Sequence, residues 1–94
     1  MFAAHWGTAM RVAILAKARD DRAEATARVV VTWLQNAGHE VALEASLASR
    51  VQIPGGIARD ELAQRAEMAI ALGGDGTMLQ AARTFSSAGV PILG

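Results

Sequence analysis

Residues 73–77, Gly-Gly-Asp-Gly-Thr, are the part of this 94-residue chain whose types and spacing could do chemistry. An apolar run, 68–72 (Met-Ala-Ile-Ala-Leu), precedes them, and a helix-forming stretch, 78–87, follows. A strand that ends in glycines and then opens a helix is a place to hold phosphate. Gly73, Gly74 and Gly76 lack side chains, so backbone N–H groups there can approach an anion closely. The helix N-terminus adds unpaired donors and the positive end of its dipole. Asp75 is the anomaly, because a carboxylate repels phosphate. Its place in an anion cradle suits binding a metal, gripping a ribose hydroxyl or taking a proton from one. The plainer reading is a strand-to-helix turn, since Gly-Gly and Asp-Gly are ordinary turn pairs and Thr77 suits an N-cap. All five residues at one junction favour the cradle.

Other polar residues carry weaker signals. Lys17 and Arg19 follow the first apolar run and can neutralise phosphate, or serve as solvated charges at a strand end. Arg83 falls two turns into the helix after the glycines and can reach phosphate or lie on the surface. His5 and His39 lack carboxylate or cysteine companions at ligand spacing, so no metal site is expected. Asp20 and Asp21 suit helix capping. Trp33 suits packing or a partner surface, and Pro54, Gly55 and Gly56 suit a turn.

The elements that must carry the loop follow from the apolar pattern. Residues 11–16 (Arg-Val-Ala-Ile-Leu-Ala) read as a strand buried on both faces. Asp21 with Glu24 three residues on resembles a capping box, and predicts a helix running to about Ala37. Ala23, Ala27, Val30, Leu34 and Ala37 share one face of it. Gly38 stops it and 39–43 form a second strand. Residues 45–49 predict a turn of helix and 58–66 a short helix, with Leu62 and Ala66 on its apolar side. The third strand is 68–72. The helix 78–87 turns Met78, Ala81, Ala82 and Phe85 inward, Gly89 ends it, and 90–93 begin a fourth strand. Alternating strands and helices predict an α/β fold with a doubly wound parallel sheet of order 2-1-3-4. In such sheets ligands bind beyond the carboxyl ends of the strands, where the order reverses. The loops 17–21 and 73–77 would meet there.

Composition narrows the partners. Nine basic and nine acidic residues cancel, and Lys17 is the sole lysine. No basic face interleaved with aromatics marks nucleic-acid binding, and no polybasic anchor marks a membrane surface. No apolar run approaches the roughly 20 residues that cross a bilayer. There is no cysteine, which excludes disulfides and thiolate metal sites and is compatible with a reducing cytoplasm. The length suits one small domain or a piece of a larger protein. Residues 1–10 read as an N-terminal extension, with Met10 as an alternative start, and 11–94 as the α/β domain.

Gly73 to Thr77, followed by Met78, Leu79, Gln80, Ala81, Ala82 and Arg83, resembles the N-terminal domain of NAD kinases. Val90, Pro91, Ile92, Leu93 and Gly94 fit the segment expected after that helix. The resemblance implies ATP-dependent phosphorylation of the 2′-hydroxyl of the adenosine ribose of NAD. It implies Asp75 as the group that orients that hydroxyl and accepts its proton. It implies Gly73, Gly74, Asp75, Gly76 and Thr77 as nucleotide contacts, with Mg²⁺ expected as counter-ion on the ATP phosphates; Lys17 and Arg83 join them as candidate contacts from their positions alone. A cytoplasmic location and a homo-oligomer of the intact enzyme follow in the same way. Diacylglycerol and sphingosine kinases share a similar glycine loop. They usually carry Asn-Pro and Ser-Gly patterns after the first strand, where this chain has residues 17–21, and an Asn-Glu pair after the loop, which is absent here. Family members are about three times longer and continue into a β-rich domain, so the chain is expected to be the N-terminal part of a two-domain kinase. A fragment that holds nucleotide without catalysis, and a sheet domain that associates through its edge strand, are the competing expectations.

Overall fold

A computed structural model describes residues 9–94. Eight elements follow one another: β1 (Arg11–Ala16), α1 (Asp21–Asn36), β2 (Glu40–Leu43), α2 (Ala45–Val51), α3 (Arg59–Arg65), β3 (Met68–Leu72), α4 (Asp75–Ser87) and β4 (Ile92–Leu93). The four strands form one sheet in the order β2-β1-β3-β4, and every pairing is parallel. That is the doubly wound sheet expected from the alternation of elements. Asp75–Ser87 and Ile92–Leu93 lie where the pattern places a helix and a fourth strand, with shifted bounds.

Because successive residues of a strand point to opposite faces, β1 divides its apolar residues between two cores. Val12 and Ile14 pack with Ala27, Val31 and Leu34 of α1 and Leu47, Ala48 and Val51 of α2. Ala13 and Leu15 pack with Leu62 and Ala63 of α3 and Ala81 and Phe85 of α4. β3 alternates likewise, with Ile70 and Leu72 on the α1 side and Ala69 and Ala71 on the α4 side. The α4 side is built from alanines around one large ring. Phe85 is fully buried among them, a burial worth about 1.5–3 kcal/mol.

Three local differences from the sequence reading have physical causes. α1 is capped by Asp20, whose carboxylate accepts from the Ala23 N–H at 3.0 Å, so Asp21 is already the first helical residue. Ala23 then stands at the third helical position, so the capping box read from Asp21 and Glu24 does not form. Glu24 instead turns inward, is nearly buried and pairs with Arg50 on α2. The inner stripe of α1 uses Val31 where the spacing pointed to Val30, which is half-buried. Finally, α4 begins at Asp75 with Gly74 as its N-cap, three residues before the predicted start at 78. Thr77 therefore lies within the first turn and does not cap it.

Met10, assigned to the extension, already belongs to the sheet's margin. Its N–H donates to His39 Nδ1 at 3.0 Å, and its carbonyl accepts from the Glu40 N–H at 2.9 Å. His39 thus has a structural partner. Residues 1–8 of the expected extension lie outside the described residues.

Candidate functional site

β1 hands the chain to α1 on one face of the sheet, and β3 hands it to α4 on the other. The sheet order reverses between these two strands, so the space beyond their carboxyl ends is the switch point. The loops 17–20 and 73–74 lie there and are tied together. The Lys17 N–H donates to the Leu72 carbonyl at 2.8 Å. Gly73 has φ +139°, a conformation that L side chains rarely adopt. A Cβ on Gly73 would lie 2.7 Å from Lys17 Cβ and 2.9 Å from Thr77 Oγ1. Gly73 is thus a packing necessity that lets the two loops touch.

Gly74 and Gly76 differ in kind. A Cβ on either would meet nothing within 4 Å, so neither glycine is required by packing. The Gly74 carbonyl accepts from the Thr77 and Met78 N–H groups at 3.1 and 3.2 Å. No side chain caps the start of α4. The N–H groups of Asp75 and Gly76, first and second in the helix, have no acceptor within it, and both residues are exposed. Donors of this kind beside the positive end of a 13-residue helix suit phosphate oxygens. Asp75 is exposed, and among the described residues its carboxylate forms no ion pair. It is free to meet a ligand.

A groove opens on each side of this loop. On the α1 side, Leu72 and Gly73 face Asp20, Arg22, Ala23 and Thr26. On the α4 side, Lys17, Gly76 and Thr77 face Glu44, Ser46, Arg59 and Gln80. Arg59 is held there by Glu44, whose Oε2 accepts from Nε at 2.7 Å and lies 2.7 Å from Nη2 in an ion pair. The same guanidinium donates from Nη1 to Gln80 Oε1 at 3.3 Å.

The structure brings Gly73, Gly74, Asp75, Gly76, Thr77 and Lys17 to this one rim. Arg83 is exposed farther along α4 and lines neither groove. Arg19 sits in the left-handed region at φ 57° on the connecting turn, outside both grooves. Glu44, Arg59 and Gln80 were not singled out in the sequence. They are separated by 15 and 21 positions; a backbone bridge between Glu44 and Ile57 brings Glu44 to Arg59, and the packing of α3 against α4 brings Arg59 to Gln80. The one available signal was Glu44 directly after a strand, the position from which open α/β sheets address their ligands. Among the described residues no three His, Cys, Asp or Glu side chains gather as a metal site. No described helix is long and apolar enough to cross a membrane.

A parallel sheet with a glycine loop and a free carboxylate at its switch point defines the class of open α/β domains that receive ligands beyond their strands. Residues 12–94 match the family described as the ATP-NAD kinase N-terminal domain. The NAD kinase of Trichlorobacter lovleyi is 40% identical over 84 residues, covering 89% of this chain and 30% of that protein. That of Geobacter sulfurreducens is 39% identical over the same length and coverage. That of Acidobacterium capsulatum is 34% identical over 84 residues, covering 88% of this chain and 30% of that protein. The chain belongs to the ATP-NAD kinase N-terminal domain family. It spans about 30% of the length of the curated relatives it matches.

Proposed function

We propose that this chain is the nucleotide-binding N-terminal part of an enzyme that phosphorylates the adenosine ribose 2′-hydroxyl of NAD with ATP, yielding NADP and ADP. The observation that carries this reading is the uncapped pair of N–H groups at the exposed residues Asp75 and Gly76, set beside the unpaired Asp75 carboxylate. Family membership supplies the substrate class.

Phosphoryl transfer depends mainly on positioning and charge stabilisation. The backbone at 74–76 binds phosphate oxygens, and the Thr77 hydroxyl and Lys17 ammonium add a donor and a positive charge. Asp75 accepts a hydrogen bond from the ribose 2′-hydroxyl and fixes it in line with the terminal phosphorus. As the new oxygen–phosphorus bond forms, the bond to the ADP leaving group breaks and the hydroxyl proton passes to the carboxylate. A carboxylate is a weak base towards an alcohol, but it serves when the proton leaves late, after phosphorus has begun to acidify it. Mg²⁺ would arrive on the ATP phosphates and neutralise their charge. The residues present fit that mode, since Mg²⁺ commonly takes one or two carboxylates plus phosphate oxygens and Asp75 is a single carboxylate at the rim. Arg83 is proposed only as a peripheral contact. A cytoplasmic location and a homo-oligomer complete the reading.

The test uses the protein at the length of its relatives, incubated with NAD, ATP and Mg²⁺, with NADP as readout. NADP formation is expected. Asp75→Asn should remove most turnover while NAD affinity, followed by calorimetry, stays within about threefold. Near-normal turnover in that variant overturns the base assignment. Binding of NAD without any NADP would favour a non-catalytic nucleotide module.

A further inference from the structure

We propose that Gln80 is a phosphate-contacting residue in the α4-side groove, and that Glu44 and Arg59 act as positioning residues for it. The ligand class is a linear oligophosphate, the phosphate chain of a phosphoryl donor. This rests on the proposed function and adds to it a second subsite beside the glycine loop.

A guanidinium carries only donors. Arg59 Nη1 lies 3.3 Å from Gln80 Oε1, so the Gln80 oxygen must be turned to Arg59. That orientation leaves both amide N–H groups of Gln80 for the groove that it lines. Arg59 is itself fixed, because Glu44 accepts from its Nε and pairs with its Nη2 through one carboxylate oxygen. The second Glu44 oxygen accepts from the Ser46 hydroxyl at 3.3 Å. Glu44 is thus occupied on both sides and its charge is matched by Arg59. Lys17 has no carboxylate partner among the described residues and contributes an unmatched positive charge to the same groove. The lining holds amide, hydroxyl, ammonium and backbone donors and no aromatic ring. Such a surface suits phosphate oxygens and offers no platform for a base.

The probe is inorganic tripolyphosphate, titrated into the 94-residue chain by calorimetry and by NMR of the side-chain amides. Tripolyphosphate is expected to bind and to move the Gln80 Nε2 resonances. Gln80→Ala should weaken binding about tenfold, the scale of one hydrogen bond to a charged group. Gln80→Glu should weaken it further, because its carboxylate would take Arg59 and face the ligand. In Arg59→Ala the Gln80 amide shift should vanish, and Arg59→Lys should not restore it, since an ammonium lacks the two-pronged grip on Glu44. The dispersion of the backbone amide spectrum reports whether each variant is folded. Absence of tripolyphosphate binding, binding indifferent to Gln80→Ala, or an unmoved Gln80 amide each overturns the inference. NAD titrated into the same variants separates the two readings. NAD binding with a silent Gln80 removes only this subsite, whereas absence of NADP formation by the protein at the length of its relatives counts against the proposed function.

Discussion

Gly73 and Gly74 are neighbours of one type with different duties. Gly73 combines a positive φ with contacts that a Cβ would violate at 2.7 and 2.9 Å. Gly73→Ala should lower the unfolding free energy by about 1–3 kcal/mol, read as a shift of the urea midpoint. Gly74 has φ −98° and empty space where a Cβ would go. Gly74→Ala should leave that midpoint within about 0.5 kcal/mol of wild type, yet weaken NAD binding about tenfold by standing between the amides and phosphate. If both variants bind NAD like the wild type, the amides are not the cradle. The letters Gly-Gly-Asp-Gly-Thr identified this loop but could not divide its glycines into packing and binding roles. That division depends on Lys17, which lies 56 positions earlier in the chain.

β1 and β3 were legible to the residue, because buried parallel strands are unbroken apolar runs and their polar neighbours end them sharply. Helix starts were less legible. Asp20 and Asp21 both suit a cap, and the choice depends on which carboxylate meets the Ala23 N–H. Asp20→Ala should cost about 1 kcal/mol of stability and Asp21→Ala clearly less, by thermal or urea unfolding. Equal losses would mean that the capping distinction is wrong. The start of α4 was hidden for another reason. Two glycines within five residues lower helix propensity, so 74–77 read as loop, whereas the Gly74 carbonyl gathers the Thr77 and Met78 N–H groups into a first turn. The groove formed by Glu44, Arg59 and Gln80 had no local signature, since each belongs to a different segment and only a non-local bridge at Ile57 and the packing of α3 on α4 unite them.

A domain of this size buries only about 60–65% of its unfolded surface, so single core residues weigh heavily. Phe85→Ala should cost about 3–5 kcal/mol, enough to leave much of the chain unfolded at 37 °C by circular dichroism. Trp33, equally large, should behave oppositely. It is 68% exposed on the outer side of α1, beside Val29 at 68%. Trp33→Ser should leave the urea midpoint within about 0.5 kcal/mol. A large loss would show that Trp33 supports the fold. The contrast was partly readable, because Phe85 follows Ala81 and Leu34 follows Ala27 at helical spacing, whereas Trp33 lies off that face and the letters leave it between packing and a partner surface. The strand order 2-1-3-4, deduced from alternation alone, placed the rim correctly at the scale of the whole sheet.

The hydrogen bond from the Lys17 N–H to the Leu72 carbonyl joins the rim to the two middle strands, those with a neighbour on both sides. Deuterium should therefore replace the Lys17 amide hydrogen among the last in the chain, together with β1 and β3. An arriving dinucleotide would meet amides already arrayed, and little of its interaction energy would go into freezing a wandering loop. Speed of capture would then be governed by diffusion and charge, without a slow closing step.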